Sequence, residues 1–300
     1  MRKGLMLLLT MSAFLPQSGF SQLPPSATWA AHAPTEYQVF PNLTYLVASN
    51  YEAKLDIYQR RSQSLSPQSP QPTIIFIHGG FWAAGTKEAS LMSLMPWFEM
   101  GWNVVNVEYR LARVALAPAA VEDCLCALRY IAAQAKTYNI DVNRLVVTGE
   151  SAGGHLALTT GMIPESAGLD RECAGAPLPK VAAIINWYGI TDVGDVIDGP
   201  HRANLAAQWL GSMPNRDDVA RRVSPLTYVK AGLPPIMTIH GDSDPLVPYQ
   251  HAVRLHEALS KVNVPNQLMT IPGAKHGGFT ADERTQIFVA IREFLAKNGL

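Results

Sequence analysis

The sequence predicts an α/β fold: a mostly parallel sheet with helices on both faces and a small cap-like insertion. Three observations lead there. Short apolar runs alternate along the chain with longer segments whose apolar residues recur every three to four positions. The runs are continuous rather than alternating, as expected of parallel strands buried on both faces. The 300 residues are 48% hydrophobic and carry 24 Lys+Arg against 24 Asp+Glu. That composition allows a large core, disfavours disorder, and lacks the basic excess that a nucleic-acid partner requires.

The elements follow in order. Met1-Arg2-Lys3 precedes an apolar stretch, Leu5 to Leu15, too short to span a bilayer. With Gly19 and Ser21 placed before a cut ahead of Gln22, residues 1–21 read as a secretory signal peptide. Its removal takes away Arg2 and Lys3 and no acid, so the mature chain has 22 basic against 24 acidic residues, net −2. No stable membrane insertion is expected after cleavage, and the protein is expected to be secreted or periplasmic.

Residues 22–38 read as an N-terminal linker and 39–300 as one domain. Val39 to Ala48 and Lys54 to Tyr58, where Leu55 and Ile57 alternate with polar neighbours, read as antiparallel edge strands. Residues 61–72, rich in Ser, Gln and Pro, form a loop. Buried strands are expected at Thr73–Ile77, Asn103–Val107, Leu145–Thr148, Val181–Ile185, Ile236–Ile239 and Gln267–Ile271. Helices are expected at 88–99, 118–137, 152–161, 249–262 and 281–297. The last presents Ile287, Ile291, Phe294 and Leu295 on one face, the stripe of a helix lying on a sheet. The segment 187–229 has no clear strand and reads as an insertion over the active site at the sheet's C-terminal edge.

Three cysteines cannot build a disulfide framework, and their spacing is not that of a zinc site. Cys124 and Cys126 sit two apart on one helix and point away from each other. Export to an oxidising compartment leaves Cys173 able to pair with either.

One motif carries chemistry. The strand ending at Thr148 runs into Gly149-Glu150-Ser151-Ala152-Gly153-Gly154, followed by a helix. This is G-x-S-x-G in its strand–turn–helix setting, a tight turn that lifts a serine above the sheet and faces it with the free amides of a helix N-terminus. Pro164-Glu165-Ser166-Ala167-Gly168 repeats part of the motif but begins with Pro and follows no strand. A serine nucleophile needs a base and an acid to orient it. On this architecture both belong on loops after strands, which selects Asp244 in His240-Gly241-Asp242-Ser243-Asp244-Pro245 and His276 in Lys275-His276-Gly277-Gly278. Asp242 is the weaker acid candidate, read as bonding its own loop's amides. His155, His240, His251 and His256 lie in helices or at a strand end and read as structural; His32 and His201 lie in segments the pattern does not place. Amide donors for an oxyanion are expected from Gly80 and Phe81 in His78-Gly79-Gly80-Phe81-Trp82 and from Ala152, with His78 bracing the loop. Gly80 to Lys87 approaches a phosphate-binding loop, but its Thr and Lys stand in the wrong order.

Across residues 39–297 the chain resembles the α/β-hydrolase superfamily. His78-Gly79-Gly80-Phe81-Trp82, Glu108-Tyr109-Arg110-Leu111-Ala112, Pro118-Ala119-Ala120-Val121-Glu122-Asp123 and Gly149-Glu150-Ser151-Ala152-Gly153-Gly154-His155 are similar to motifs of the carboxylesterases related to hormone-sensitive lipase. They look closest to the bacterial feruloyl/acetylxylan-esterase-like branch. Two positions depart from that pattern: Phe81 replaces a third glycine, and Arg113 replaces proline. The His-Gly-Gly-aromatic-Trp run is also similar to kynurenine formamidases.

The resemblance implies a serine carboxylesterase acting on small acyl or aryl esters, including acetyl or feruloyl groups on carbohydrate. Its catalytic residues would be Ser151, Asp244 and His276, with no metal and no organic cofactor. Trp82, Trp187 and Tyr188 are candidates for a substrate pocket, with Trp209 as a further aromatic of the insertion. The competing expectations are an aryl formamidase, a peptidase or amidase with the same triad, and a binding module that keeps only the fold.

Overall fold

The fold is described from a computed structural model, which defines residues 24–61, 69–173, 177–199 and 201–300. The signal-peptide reading of residues 1–21 and most of the loop predicted at 61–72 lie outside the described residues.

Eight strands form one sheet: β1 (Tyr37–Ala48), β2 (Tyr51–Arg60), β3 (Gln71–Ile77), β4 (Asn103–Val107), β5 (Ile140–Glu150), β6 (Ala183–Trp187), β7 (Ile236–Gly241) and β8 (Asn266–Ile271). Their order is β1-β2-β4-β3-β5-β6-β7-β8. β1 and β2 pair antiparallel with each other, β2 pairs antiparallel with β4, and all later neighbours are parallel. The helices are α1 (Pro25–Glu36), α2 (Met95–Glu99), α3 (Ala119–Ala133), α4 (Ala152–Met162), α5 (Val193–Ile197), α6 (Asn204–Leu210), α7 (Arg216–Arg222), α8 (Gln250–Lys261) and α9 (Ala281–Lys297).

The period-two geometry of β3 explains the layering. Ile75 and Ile77 face one core together with α3, α4 and α8, while Ile74 and Phe76 face a second core under α2 and α9. All of β4, β6 and β7 is buried, which is why those strands read as unbroken apolar runs. The stripe foreseen on α9 is buried as a unit. The helix starts at a capping box in which the Glu283 amide donates to the Thr280 hydroxyl and the Thr280 amide to the Glu283 carboxylate.

Several boundaries differ from those the sequence predicts. The expected linker contains α1, none of whose residues is buried. The expected helix 88–99 splits into a 3₁₀ turn, Glu88–Leu94, and α2, with Pro96 in the first turn of α2, where a missing N–H costs nothing. β6 lies two residues later than Val181–Ile185, because Glu150 at the end of β5 pairs with Trp187. Within 187–229 the described residues contain α5, α6, α7 and a 3₁₀ turn at Pro225–Tyr228, and no strand after Trp187.

Cys173 pairs with Cys126, joining α3 to the 3₁₀ turn Arg171–Cys173 beside β1, while Cys124 is free and buried. A cross-link between residues 47 apart removes about 4 kcal/mol of chain freedom from the unfolded state. The double variant Cys126→Ser/Cys173→Ser should therefore lower Tm by about 5–10 °C. Thermal unfolding followed by circular dichroism checks this, and an unchanged Tm would remove the bridge as a stabilising element.

Candidate active site

Ser151 stands between β5 and α4 at φ 58°, ψ −118°, a region that side chains avoid. Glycine makes the turn possible. A Cβ at Gly153 would come within 2.0 Å of the Ile77 carbonyl, and one at Gly149 within 2.4 Å of the Gly153 carbonyl. The turn is further held by the Ser151 amide, which donates to the Trp187 carbonyl at 2.9 Å.

The loops after β7 and β8 bring their side chains to this turn. Ser151 Oγ lies 2.9 Å from His276 Nε2, and His276 Nδ1 lies 2.7 Å from Asp244 Oδ2. With Nδ1–H donating to the carboxylate, Nε2 is left to accept the serine proton. Asp244 Oδ1 accepts the amides of Leu246 at 2.8 Å and Val247 at 3.0 Å. Burial pushes the Asp244 carboxyl upward. Hydrogen bonds from His240, His276 and the Val247 amide outweigh that effect and hold it well below the usual carboxylate range. The group is an anion whenever the imidazole needs one. Asp242 does not reach the imidazole: its Oδ1 accepts the Gly273 amide at 2.7 Å and ties the two loops together.

Across the turn, His78-Gly79-Gly80-Phe81-Trp82 leaves β3. A Cβ at Gly79 would lie 2.8 Å from the Glu150 carbonyl and 3.4 Å from Ser151 Cβ, so this loop lies against Ser151. Gly80, Phe81 and Trp82 all have positive φ, at 116°, 49° and 57°. The Gly80 carbonyl accepts the Ala83 and Ala84 amides, closing a compact turn. The amides of Gly80 and Phe81 donate to no other described residue, and the Ala152 amide belongs to the first turn of α4, where helical N–H groups have no internal partner. Backbone donors therefore converge on both sides of Ser151.

His78 stands apart from the serine. Its Nδ1–H donates to the Gly79 carbonyl at 2.8 Å, and its ring stacks on Tyr109 with centroids 4.4 Å apart. Lys87, at the end of the phosphate-loop look-alike, binds Asp56 at 2.9 Å and Glu88 at 2.6 Å. The Tyr-Arg-Leu-Ala and Pro-Ala-Ala motifs meet through the buried pair Arg110–Asp123, at 2.7 Å.

The aromatic candidates divide. Tyr188 lies beside His276, their ring centroids 4.7 Å apart. Trp187 is a correction: its ring faces the second core and packs against Phe279 and Phe288, so only its carbonyl reaches the serine turn. Trp82 is also a correction. It is fully buried beneath the Gly-Gly loop, stacked on Trp209 and bonded to His155.

Two residues of the site escape the sequence reading. His240 Nε2 lies 3.2 Å from Asp244 Oδ2, a second donor to the acid, and also bonds the Val247 carbonyl at 2.9 Å. Glu150, beside Ser151, carries a half-buried carboxyl. Burial raises its pKa against the opposing influence of Arg284, Ser93, Tyr188 and His276. Its variable position inside G-x-S-x-G gave no signal. His240, four residues before Asp244, offered only the spacing.

An eight-stranded sheet in this order, with a strained serine between β5 and α4, defines the α/β-hydrolase fold. The family model BD-FAE matches residues 55–259, and the chain belongs to that family, within the feruloyl-esterase-like branch of the fold. Among curated relatives, esterase LipC of Mycobacterium tuberculosis is 27% identical over 230 residues, covering 74% of this chain and 56% of that protein. The chain thus spans little more than half the length of that relative. Among solved structures, a truncated carbohydrate esterase from gut microbiota superposes with a TM-score of 0.72 at 26% identity, covering 86% of this chain and 97% of that one. A propionate-bound esterase of the planctomycete Thermogutta terrifontis gives 0.69 at 25%, covering 90% and 97%.

Proposed function

We propose that the protein is a serine carboxylesterase for small acyl and aryl esters, including short acyl or feruloyl groups carried on carbohydrate. The hydrogen-bonded series Ser151–His276–Asp244 supports this reading most directly. Ser151 Oγ attacks the ester carbonyl carbon while its proton passes to His276 Nε2. The carbonyl oxygen becomes an anion held by the amides of Gly80, Phe81 and Ala152. Asp244 keeps Nδ1 protonated and stabilises the imidazolium, which gives the Nε2 proton to the departing alcohol. Water then attacks the acyl-enzyme, losing its proton to His276. Ser151 leaves, recovers that proton, and the carboxylic acid is released.

The propionate bound by the Thermogutta esterase and the carbohydrate esterase activity of the gut enzyme favour short acyl chains and sugar-borne esters here. The basic, apolar N-terminus and the Cys126–Cys173 bridge favour export, since disulfides persist in oxidising compartments. Among the described residues no helix is long and apolar enough to cross a membrane.

The test is a substrate panel of p-nitrophenyl acetate, butyrate and palmitate, methyl ferulate, acetylated xylan and an aryl formamide, run with the protein and with Ser151→Ala. The expected result is turnover of acetate, butyrate and ferulate that the variant lacks. Absence of Ser151-dependent turnover on every member would remove the enzyme reading. A higher kcat/KM for the formamide than for any ester would replace the esterase assignment.

A further inference from the structure

Phe81 and Trp82 hold positive φ without being glycine, so something outside the Gly-Gly loop must stabilise that conformation. The only ring stacked face to face on Trp82 among the described residues comes from the insertion: Trp209 of α6, with centroids 4.1 Å apart and planes inclined by 16°. Trp82 also donates its indole N–H to His155 Nδ1 at 3.0 Å. His155 lies one turn into α4, and its amide donates to the Ser151 carbonyl. Its Nε2–H in turn reaches the Val223 carbonyl at 2.7 Å, again in the insertion. Burial holds the ring at about 4, with the Val223 contact pulling the other way, so near neutral pH it is neutral and locked in one tautomer. Both banks of the amide cluster are therefore braced by 187–229: the Phe81 side through Trp82–Trp209, and the Ala152 side through His155–Val223.

We propose that Trp209 is a positioning residue for catalysis, setting the placement of the Gly80 and Phe81 amides through Trp82, so that the insertion is a working part of the oxyanion site. This rests on the esterase reading above. Because the oxyanion exists only in the transition state, a loosened brace lowers kcat and leaves KM nearly unaltered. Trp209's own indole N–H makes no hydrogen bond to a described residue. Its ring contacts, the stack on Trp82 and an edge contact with His155 at 5.8 Å, are therefore what its side chain contributes, and phenylalanine, which keeps a ring there, loses no polar contact.

The experiment compares Trp209→Leu, Trp209→Phe and Trp82→Phe with the unmodified protein on p-nitrophenyl acetate. It is joined by the Ki of an aryl trifluoromethyl ketone, whose hemiketal oxyanion mimics the intermediate, and by ¹⁵N NMR of the histidine rings. Trp209→Leu should lower kcat by about 10- to 100-fold with KM within about twofold, and weaken the ketone by a similar factor. Trp209→Phe should recover most of that loss. Trp82→Phe keeps the stack but loses the bond to His155; it should lower kcat with KM retained and shift the His155 Nδ1 resonance as that nitrogen loses its donor, while Nε2–H stays on the Val223 carbonyl. If Trp209→Leu fails to fold, Trp209→Phe and Trp82→Phe carry the test. Folded variants with kcat near the unmodified value, a loss confined to KM, or a ketone Ki that does not follow kcat would each overturn the inference. If the unmodified protein turns over none of these esters, the esterase reading itself fails, and the His155 Nδ1 resonance, compared between Trp209→Leu and the unmodified protein, then decides separately whether Trp209 holds Trp82 in place.

Discussion

Replacing His276 with alanine should lower kcat/KM for short esters by about 10⁵- to 10⁶-fold. A serine hydroxyl is a weak nucleophile at neutral pH, and among the described residues the base hydrogen-bonded to Ser151 is His276 Nε2, at 2.9 Å. His78 is nearer to Ser151 in sequence, but its buried ring is stacked on Tyr109 and its Nε2 faces Glu108 at 3.7 Å rather than Ser151, so it does not substitute. The imidazole is partly exposed and its removal leaves no buried charge unpaired, because Asp244 retains the Leu246 and Val247 amides and His240. The variant should therefore fold, and loss of rate can be read as loss of chemistry. Steady-state hydrolysis of p-nitrophenyl acetate, with folding checked by circular dichroism, measures it. A variant keeping more than about one per cent of the original kcat/KM would show that another group takes the Ser151 proton, since loss of a base alone costs at least about 10²-fold.

The parts of this molecule that a sequence discloses are those where one physical requirement selects residue type. Glycine at 149 and 153 is such a requirement, because carbonyl oxygens occupy the space a Cβ would need. The continuous apolar runs are another, because parallel strands are covered on both faces. What stayed hidden depends on pairing or on facing. β6 runs two residues beyond its apolar run because Trp187 pairs with Glu150, a fact about register rather than composition. Trp82, Trp187 and Tyr188 are alike as large aromatic residues near the site, yet only Tyr188 turns towards His276. The other two fall on opposite sides of the sheet as core packing. α1 buries none of its residues, so no periodic stripe marks it. The disulfide partner of Cys173 was undetermined for a similar reason: Cys124 and Cys126 are equally apolar in setting, and only the helix's rotation decides which faces the turn at Arg171–Cys173.

Between the two acids after β7, Asp244→Asn should cost about 10⁴-fold in kcat, and Asp242→Asn should stay within about threefold. Asp244 Oδ2 receives the Nδ1–H of His276 at 2.7 Å, and that single contact fixes which nitrogen faces the serine. Asparagine can preserve the Leu246 and Val247 amide bonds through its carbonyl oxygen, which turns its NH₂ towards His276. The imidazole must then accept at Nδ1 and carry its proton on Nε2, where it can no longer take one from Ser151. The same turn places a donor opposite His240 Nε2–H, so the acid's contact with His240 is lost as well, while the amide bonds keep the loop's shape. Asp242 carries no such linkage. It is exposed, and its Oδ1 accepts the Gly273 and Ser243 donors; an asparagine carbonyl accepts them nearly as well. Because both substitutions remove one negative charge two residues apart, a general electrostatic effect on His276 would make their losses comparable. Only the tautomer argument separates them by orders of magnitude. Equal losses would therefore reject Asp244 as the orienting acid even if both variants were impaired, and the reverse ranking would assign the imidazole to Asp242.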